Sequence, residues 1–190
     1  MRKCLIVLAA GLLALTVLAT AAQAIPSTPT KNHARYINPF RDPAWQLGRI
    51  DMGIDWVPLH RLPVLAVGDA VILGSDNHSG WPGSHIIWYQ LMDGSHAGDV
   101  IYVAEHLRQM LPTGRKVHAG DRIAYAIPGY PYIEMGWADT YGSPRAYPCY
   151  KEGHRTNSGK EMARFLGSLG ASVSGESPGT GSDAPTGKLC

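Results

Sequence analysis

Short strand-like runs separated by glycine and aspartate turns are the feature that most constrains the fold of this chain. Gly68-Asp69 and Asp93-Gly94 are such turns, and the runs beside them are rich in β-branched and aromatic residues. This pattern predicts a mainly β protein, built as an antiparallel sheet or sandwich. The first two runs should form a hairpin through Gly68-Asp69. We predict strands over residues 63–67, 70–73, 85–92, 99–104, 123–127 and 132–137.

One helix is expected near the end of the chain, over about 158–169. Ser158 and Glu161 fit a capping box, in which Ser158 is the N-cap and Glu161 bonds back to it. Gly170 provides a C-terminal stop. Because the helix is short, it must pack on the sheet to be stable. Its predicted buried face, at helical spacing, consists of Met162, Phe165, Leu166 and Leu169.

Residues 1–24 have the three parts of a secretory signal peptide. A basic start, Met1-Arg2-Lys3, precedes an apolar run and the small-residue site Ala22-Gln23-Ala24. A membrane anchor is the alternative, but the polar segment that follows at once favours cleavage. Cys4 lies at the front of the apolar run, which excludes a lipoprotein. We therefore expect a secreted or periplasmic protein with no stable membrane span after cleavage.

Charge excludes one class of partner. The chain has 17 Lys and Arg, of which Arg2 and Lys3 belong to the predicted leader, so 15 remain against 15 Asp and Glu. A neutral mature chain gives no support for nucleic-acid binding. Cys149 and Cys190 would then be the remaining cysteines, and a disulfide between them is allowed in an oxidising compartment. The sequence leaves that pairing open.

The chain divides into a short lead-in, one domain and a tail. Residues 25–48 are rich in proline and should be extended, with Tyr36, Phe40 and Trp45 available to attach them to the core. The predicted β domain with its helix covers 49–170. Residues 171–190 are rich in Ser, Gly, Pro and Thr, and we expect them to be disordered.

Three clusters carry residues capable of chemistry. Asp51 and Asp55 flank Gly53 beside apolar neighbours, and carboxylates in that setting require a cation or donors. Glu105-His106 ends a predicted strand, and Tyr130, Tyr132 and Glu134 alternate along another. If they meet, this oxygen-rich set suits a hard or borderline cation. The alternative is a hydrogen-bond network in which the aspartates pair with Arg49 or tyrosine hydroxyls.

The order of these segments resembles the lysostaphin-type zinc endopeptidases of bacterial cell walls, whose fold is the duplicated hybrid motif. Residues 51–55 resemble that family's His-x-Gly-x-Asp motif, and 130–134 stand where it has His-x-His-x-Glu. The resemblance covers about residues 49–137. The other matching segments are 63–71, 101–107 and 116–124.

This resemblance implies a largely replaced site. The zinc ligands would be Asp51, Asp55 and Tyr132, and the two assisting histidines would be His106 and Tyr130. A phenol is a poor substitute for imidazole, because it must lose a proton of pKa about 10 to become a good ligand. We therefore expect the zinc chemistry to be lost. A non-standard site holding zinc, manganese or calcium is the alternative.

Two functions follow as expectations from the resemblance, and a third stands beside them. The first is a secreted, catalytically degenerate domain that binds peptidoglycan or an envelope protein through the old substrate groove. The second is an active metal-dependent peptidoglycan endopeptidase with Asp51 and Asp55 on the metal and His106 assisting. The third is an exported structural module. The aromatic and acidic groove residues expected are Trp81, Trp137, Tyr130, Tyr132 and Glu134.

Overall fold

A computed structural model of the protein describes residues 35–129 and 132–174. The predicted signal peptide, the first part of the lead-in and the tail from residue 175 onward lie outside the described residues. Tyr130 and Cys190 do as well, so their predicted roles stay predictions. Within the described ranges, every helix is too short or too polar to cross a membrane.

The described chain forms two antiparallel sheets and one α-helix. The larger sheet has seven strands in the order β1-β2-β10-β6-β5-β4-β8, and the smaller has the order β3-β9-β7. The elements are β1 (Trp45–Ile50), β2 (Ile54–Pro58), β3 (Leu62–Leu65), β4 (Ala70–Asp76), β5 (Ile86–Leu91), β6 (Val100–Glu105), β7 (Leu107–Arg108), β8 (Lys116–Val117), β9 (Arg122–Ala126), β10 (Ile133–Ala138) and α1 (Asn157–Ser168). The predicted mainly β, antiparallel fold with one helix is confirmed.

The predicted hairpin through Gly68-Asp69 is wrong. β3 pairs with β9 in the small sheet, whereas β4 pairs with β5 in the large one. The amide of Ala66 bonds the carbonyl of Asp121, so the chain stays beside β9 before it crosses between the sheets. Val64 of β3 and Ile72 of β4 are both fully buried in the same core, which they reach from different sheets.

The two faces of the large sheet have different surroundings. One face packs on the small sheet and on α1, and their apolar side chains form a single core. In β10, Ile133, Met135 and Trp137 point into this core, since alternate residues of a strand share a face. The other face carries Tyr102, Ala104 and Ile86 in a smaller cluster and remains open above it. That open face holds the candidate site.

The helix begins at a different cap from the predicted one. Thr156, rather than Ser158, is the N-cap, and its Oγ1 accepts a bond of 3.0 Å from the amide of Gly159. Ser158 instead lies buried in the first turn. The same Thr156 hydroxyl donates to the carbonyl of Asp51 at 2.8 Å, which joins the start of α1 to the β1–β2 connection. Gly170, at a φ of +85°, follows the end of the helix as predicted.

Both flanking segments contribute to the core where they are described. Phe40 stacks on Trp56 with ring centroids 4.0 Å apart, and β1 already begins at Trp45, inside the predicted lead-in. At the other end, Ala171 is buried and its amide bonds the carbonyl of Leu166. Described residues on both sides of the predicted boundaries at 49 and 170 therefore pack against the domain.

Candidate functional site

A groove of about 770 Å³ crosses the open face of the large sheet. Carboxylates and Arg49 form its floor, and aromatic rings from the loops after β4 and β10 form much of its walls. Its aromatic lining residues are Trp81, Trp88, Tyr141, Tyr147 and Tyr150. Its charged lining residues are Arg49, Asp76, Glu105, Glu134 and Glu152. A concave surface that combines large apolar rings with charged groups is typical of ligand-binding clefts.

The β1–β2 connection places both aspartates beneath this groove. A tight bend closes it, in which the amide of Asp51 bonds the carbonyl of Gly53 at 3.1 Å. Gly53 is required there because a Cβ would lie 2.5 Å from the Met135 carbonyl oxygen and 2.9 Å from the Tyr102 hydroxyl. The Asp-x-Gly-x-Asp spacing thus lets the loop lie flat on β10. As a result, Asp51 and Asp55 are both buried beside that strand.

Arg49 is the cation that holds the two aspartates. Its Nε lies 3.0 Å from Oδ2 of Asp51 and 3.0 Å from Oδ2 of Asp55, and its Nη1 lies 2.5 Å from Glu152. The Tyr150 hydroxyl donates to Asp51 Oδ2 at 2.9 Å. The predicted hydrogen-bond network of the aspartates with Arg49 and a tyrosine hydroxyl is therefore present in the structure.

Glu134 completes a group of three buried carboxylates. One oxygen each from Asp51, Asp55 and Glu134 lies within 4.8 Å of the others, and Glu134 accepts a hydrogen bond from the Tyr102 hydroxyl. Protein zinc sites draw chiefly on imidazole and thiolate ligands, so this trio does not fit the zinc that the resemblance implies. Oxygen ligands alone suit a harder cation such as manganese or calcium. Arg49 occupies Oδ2 of both aspartates, so such a cation would compete with it for these oxygens.

Glu105 is the fourth acidic residue of the floor. It ends β6 in the left-handed region with a φ of +86°, a conformation that is strained for a residue other than glycine and concentrates at functional sites. Its side chain is only 6% exposed and lines the groove. Within residues 35–129 and 132–174, its buried Oε2 has no hydrogen-bond partner.

Burial raises the pKa values of these carboxyl groups. Desolvation, and then the charge of Asp51, raises the pKa of Asp55 to about 7. Desolvation and Asp55 raise the pKa of Glu105 to about 9. Desolvation, with Asp51 and Asp55, also raises the pKa of Glu134 well above its usual range. One arginine cannot neutralise four buried carboxylates, so the floor keeps protons at neutral pH.

The structure brings together only some of the predicted site residues. Asp51, Asp55, Glu134 and Trp81 lie at the groove or directly beneath it. Among the described residues, the predicted base His106 does not line the groove. The neighbouring Glu105 does, because its left-handed backbone reverses the alternation of β6. Glu105 and His106 were predicted as one cluster, in which His106 was the expected catalytic group.

Tyr132 and Trp137, two of the predicted site residues, differ in where they lie relative to the groove. Tyr132 is half-buried just before β10, and the part of the groove that the structure describes is lined by Glu134 instead. Tyr130 lies outside the described residues. The prediction that Trp137 lies in the groove is wrong. It is 3% exposed and packs on the opposite face against Phe165, with ring centroids 5.3 Å apart. Strand alternation accounts for this, since Glu134 and Trp137 differ by an odd number of residues.

Comparison with known proteins places no family on this chain. No protein-family model matches the sequence, and neither does any curated protein. Among solved structures, the chain is similar to the NMR solution structure of lysostaphin, with a TM-score of 0.48 and 17% sequence identity. The match covers 80% of this chain and 61% of that one. The chain therefore spans about three fifths of the length of that structure, and a similarity of this size carries no argument about function.

Proposed function

We propose that this protein is an exported, catalytically degenerate relative of the cell-wall endopeptidases, which uses the groove to bind peptidoglycan or an envelope protein. The observation that carries the proposal is that an arginine binds both aspartates of the Asp-x-Gly-x-Asp segment. Arg49 Nε lies 3.0 Å from Oδ2 of Asp51 and 3.0 Å from Oδ2 of Asp55. These positions correspond to metal ligands in the cell-wall endopeptidases that the sequence resembles. An arginine fixed between these carboxylates supplies no activated water. The aromatic walls remain available for binding.

The aromatic walls suit a ligand that combines apolar and polar surface. Tyr141 and Tyr147 are 85% and 71% exposed, although tyrosine rings usually cover part of their surface by packing. Trp81 stands beside the floor, with its ring centroid 5.4 Å from that of Tyr102. Such rings contact sugar and peptide faces over large areas with little loss of side-chain entropy.

Sedimentation with insoluble peptidoglycan tests this function. We expect the purified protein to be retained on the pellet, and Tyr147→Ala to lower the retained fraction severalfold. The matched control is Tyr125→Ala, which removes a tyrosine packed beneath Arg61 and Arg122 in the small sheet, away from the groove. Retention no greater than that of an unrelated exported protein of equal charge would refute the proposal.

The alternative is an active metal-dependent endopeptidase with an altered ligand set. The approach of Asp51, Asp55 and Glu134 to within 4.8 Å of one another is the observation that favours it. Zinc, manganese and calcium content of the purified protein, together with peptidoglycan turnover before and after Asp55→Ala, decides between the two. Bound metal with turnover that is lost in the variant would establish the enzyme. A protein that contains none of these metals and does not turn over peptidoglycan would support the binding domain.

A further inference from the structure

Glu105 differs from the other acids of the groove floor, because among the described residues its buried Oε2 has no hydrogen-bond partner. Asp51 and Asp55 share Arg49, and Glu134 accepts from Tyr102. Glu105 is equally buried, but its Oε2 is unpaired within the described chain. A buried acceptor without a donor costs about 1–3 kcal/mol, and more when it is charged. A left-handed backbone at the same residue adds strain.

Glu105 holds a proton in the free protein, and a cationic donor from the ligand would pair with it in its charged form instead. Arg49 forms its ion pairs with three other carboxylates of the described chain, and it acts on Glu105 only through its charge. A primary ammonium group is compact and carries three donors on a flexible stem, which allows it to reach the floor of a narrow groove. The neighbouring rings of Trp81 and Trp88 line the same groove. Their faces would cover the apolar stem and attract the positive charge.

We propose that the groove recognises peptides that bear a diamino-acid side chain, and that Glu105 accepts hydrogen bonds from its primary ammonium group. This inference rests on the proposed function, because the peptides of a bacterial wall would supply that group. It adds a chemical class of ligand and a residue that selects it. Glu105 would bind a side chain of the ligand, while Arg49 keeps the two aspartates out of the contact.

The experiment compares native peptidoglycan with peptidoglycan whose amino groups have been acetylated by acetic anhydride. Acetylation removes the charge and keeps the stem. We expect it to lower retention of the natural protein at least fivefold. Glu105→Gln should bind native material at that same low level, with no further loss on acetylation. Glu161→Gln, a matched change at an exposed position on α1, should behave as the natural protein does. Equal retention on the two materials would overturn the inference and leave the proposed function intact.

A second measurement separates failure of the inference from failure of the proposed function. A blocked alanine–lysine–alanine tripeptide, with both ends capped, carries one ammonium group, and its Nε-acetylated form carries none. Titration calorimetry should show heat of binding for the first peptide only, and that heat should disappear in Glu105→Gln. If the protein ignores peptidoglycan yet binds this peptide, the wall function fails and ammonium recognition stands. If it binds neither peptide, ammonium recognition fails. Unfolding midpoints of each variant show whether any lost binding reflects lost structure.

Discussion

Replacing Glu105 with glutamine should stabilise the protein, and the gain should grow with pH. The pKa of this carboxyl is raised by burial from 4.5 to about 9. Between these two values the folded state holds a proton that the unfolded state releases. Stability of the natural protein therefore falls as pH rises through this window. Glutamine has nearly the same shape as protonated glutamate and needs no proton, so the variant escapes this loss.

The expected magnitude follows from the same two pKa values. At pH 8, protonating an acid of pKa 4.5 costs at most about 5 kcal/mol, at about 1.4 kcal/mol per pH unit. The groove is open to water, which lowers this limit, so we expect a gain of about 2 kcal/mol at pH 8. At pH 5 the expected gain in the free energy of unfolding is less than about 1 kcal/mol. We therefore predict that the stabilisation by Glu105→Gln is larger at pH 8 than at pH 5.

Urea denaturation followed by tryptophan fluorescence at pH 5 and pH 8 measures both free energies of unfolding. Asp55 and Glu134 titrate in both proteins. Their contribution cancels when the free energy of unfolding of the natural protein is subtracted from that of the variant at each pH. Glu161→Gln, at an exposed helix position, should change the free energy of unfolding by less than about 0.5 kcal/mol at either pH. An equal effect of Glu105→Gln at the two pH values, or destabilisation that grows with pH, would refute the assignment of Glu105 as a buried, unpaired acid.

Two further predictions concern the frame around the groove. Thr156→Ala should lower the free energy of unfolding by about 1–2 kcal/mol, because it removes the helix cap and the bond to Asp51, while Thr156→Ser should recover most of it. An equal loss in both variants would contradict the role of the hydroxyl. Gly53→Ala should cost about 1–3 kcal/mol through overlap with the Met135 carbonyl, whereas Gly80→Ala, with no atom within 4 Å of the new Cβ, should cost less than about 1. Thermal or urea unfolding checks each pair, and a Gly53→Ala variant as stable as Gly80→Ala would show that the loop is free to move.

Local patterns were sufficient to predict the element types. Turn residues and the β-branched and aromatic runs that became β5, β6 and β10 predicted these strands, and apolar spacing predicted the helix face of α1, because each pattern depends on neighbours close in sequence. The choice of Arg49 as a partner for Asp51 was also available as one of two alternatives, since the residues are two positions apart.

Long-range geometry was the part that local patterns missed. The partner of β3 is β9, about 60 residues later in the chain, and nothing in the Gly68-Asp69 turn distinguishes that pairing from a hairpin. The left-handed backbone of Glu105 depends on how β6 meets β7, and the sequence did not show that Glu105, rather than His106, lines the described part of the groove. The unusual succession of an acid and a histidine at a strand end was the available signal. Its handedness could not be read from residue types.

The single carbonyl of Asp51 has a consequence for how the molecule opens. It accepts from both the amide and the hydroxyl of Thr156, at 2.9 and 2.8 Å, and that hydroxyl also caps α1. Fraying of the first helical turn and release of the groove floor are thus one event, and the amides of Asp51 and Gly159 should exchange with deuterium at matched rates. A ligand that holds the floor would slow exchange at the helix end, on the far side of the sheet.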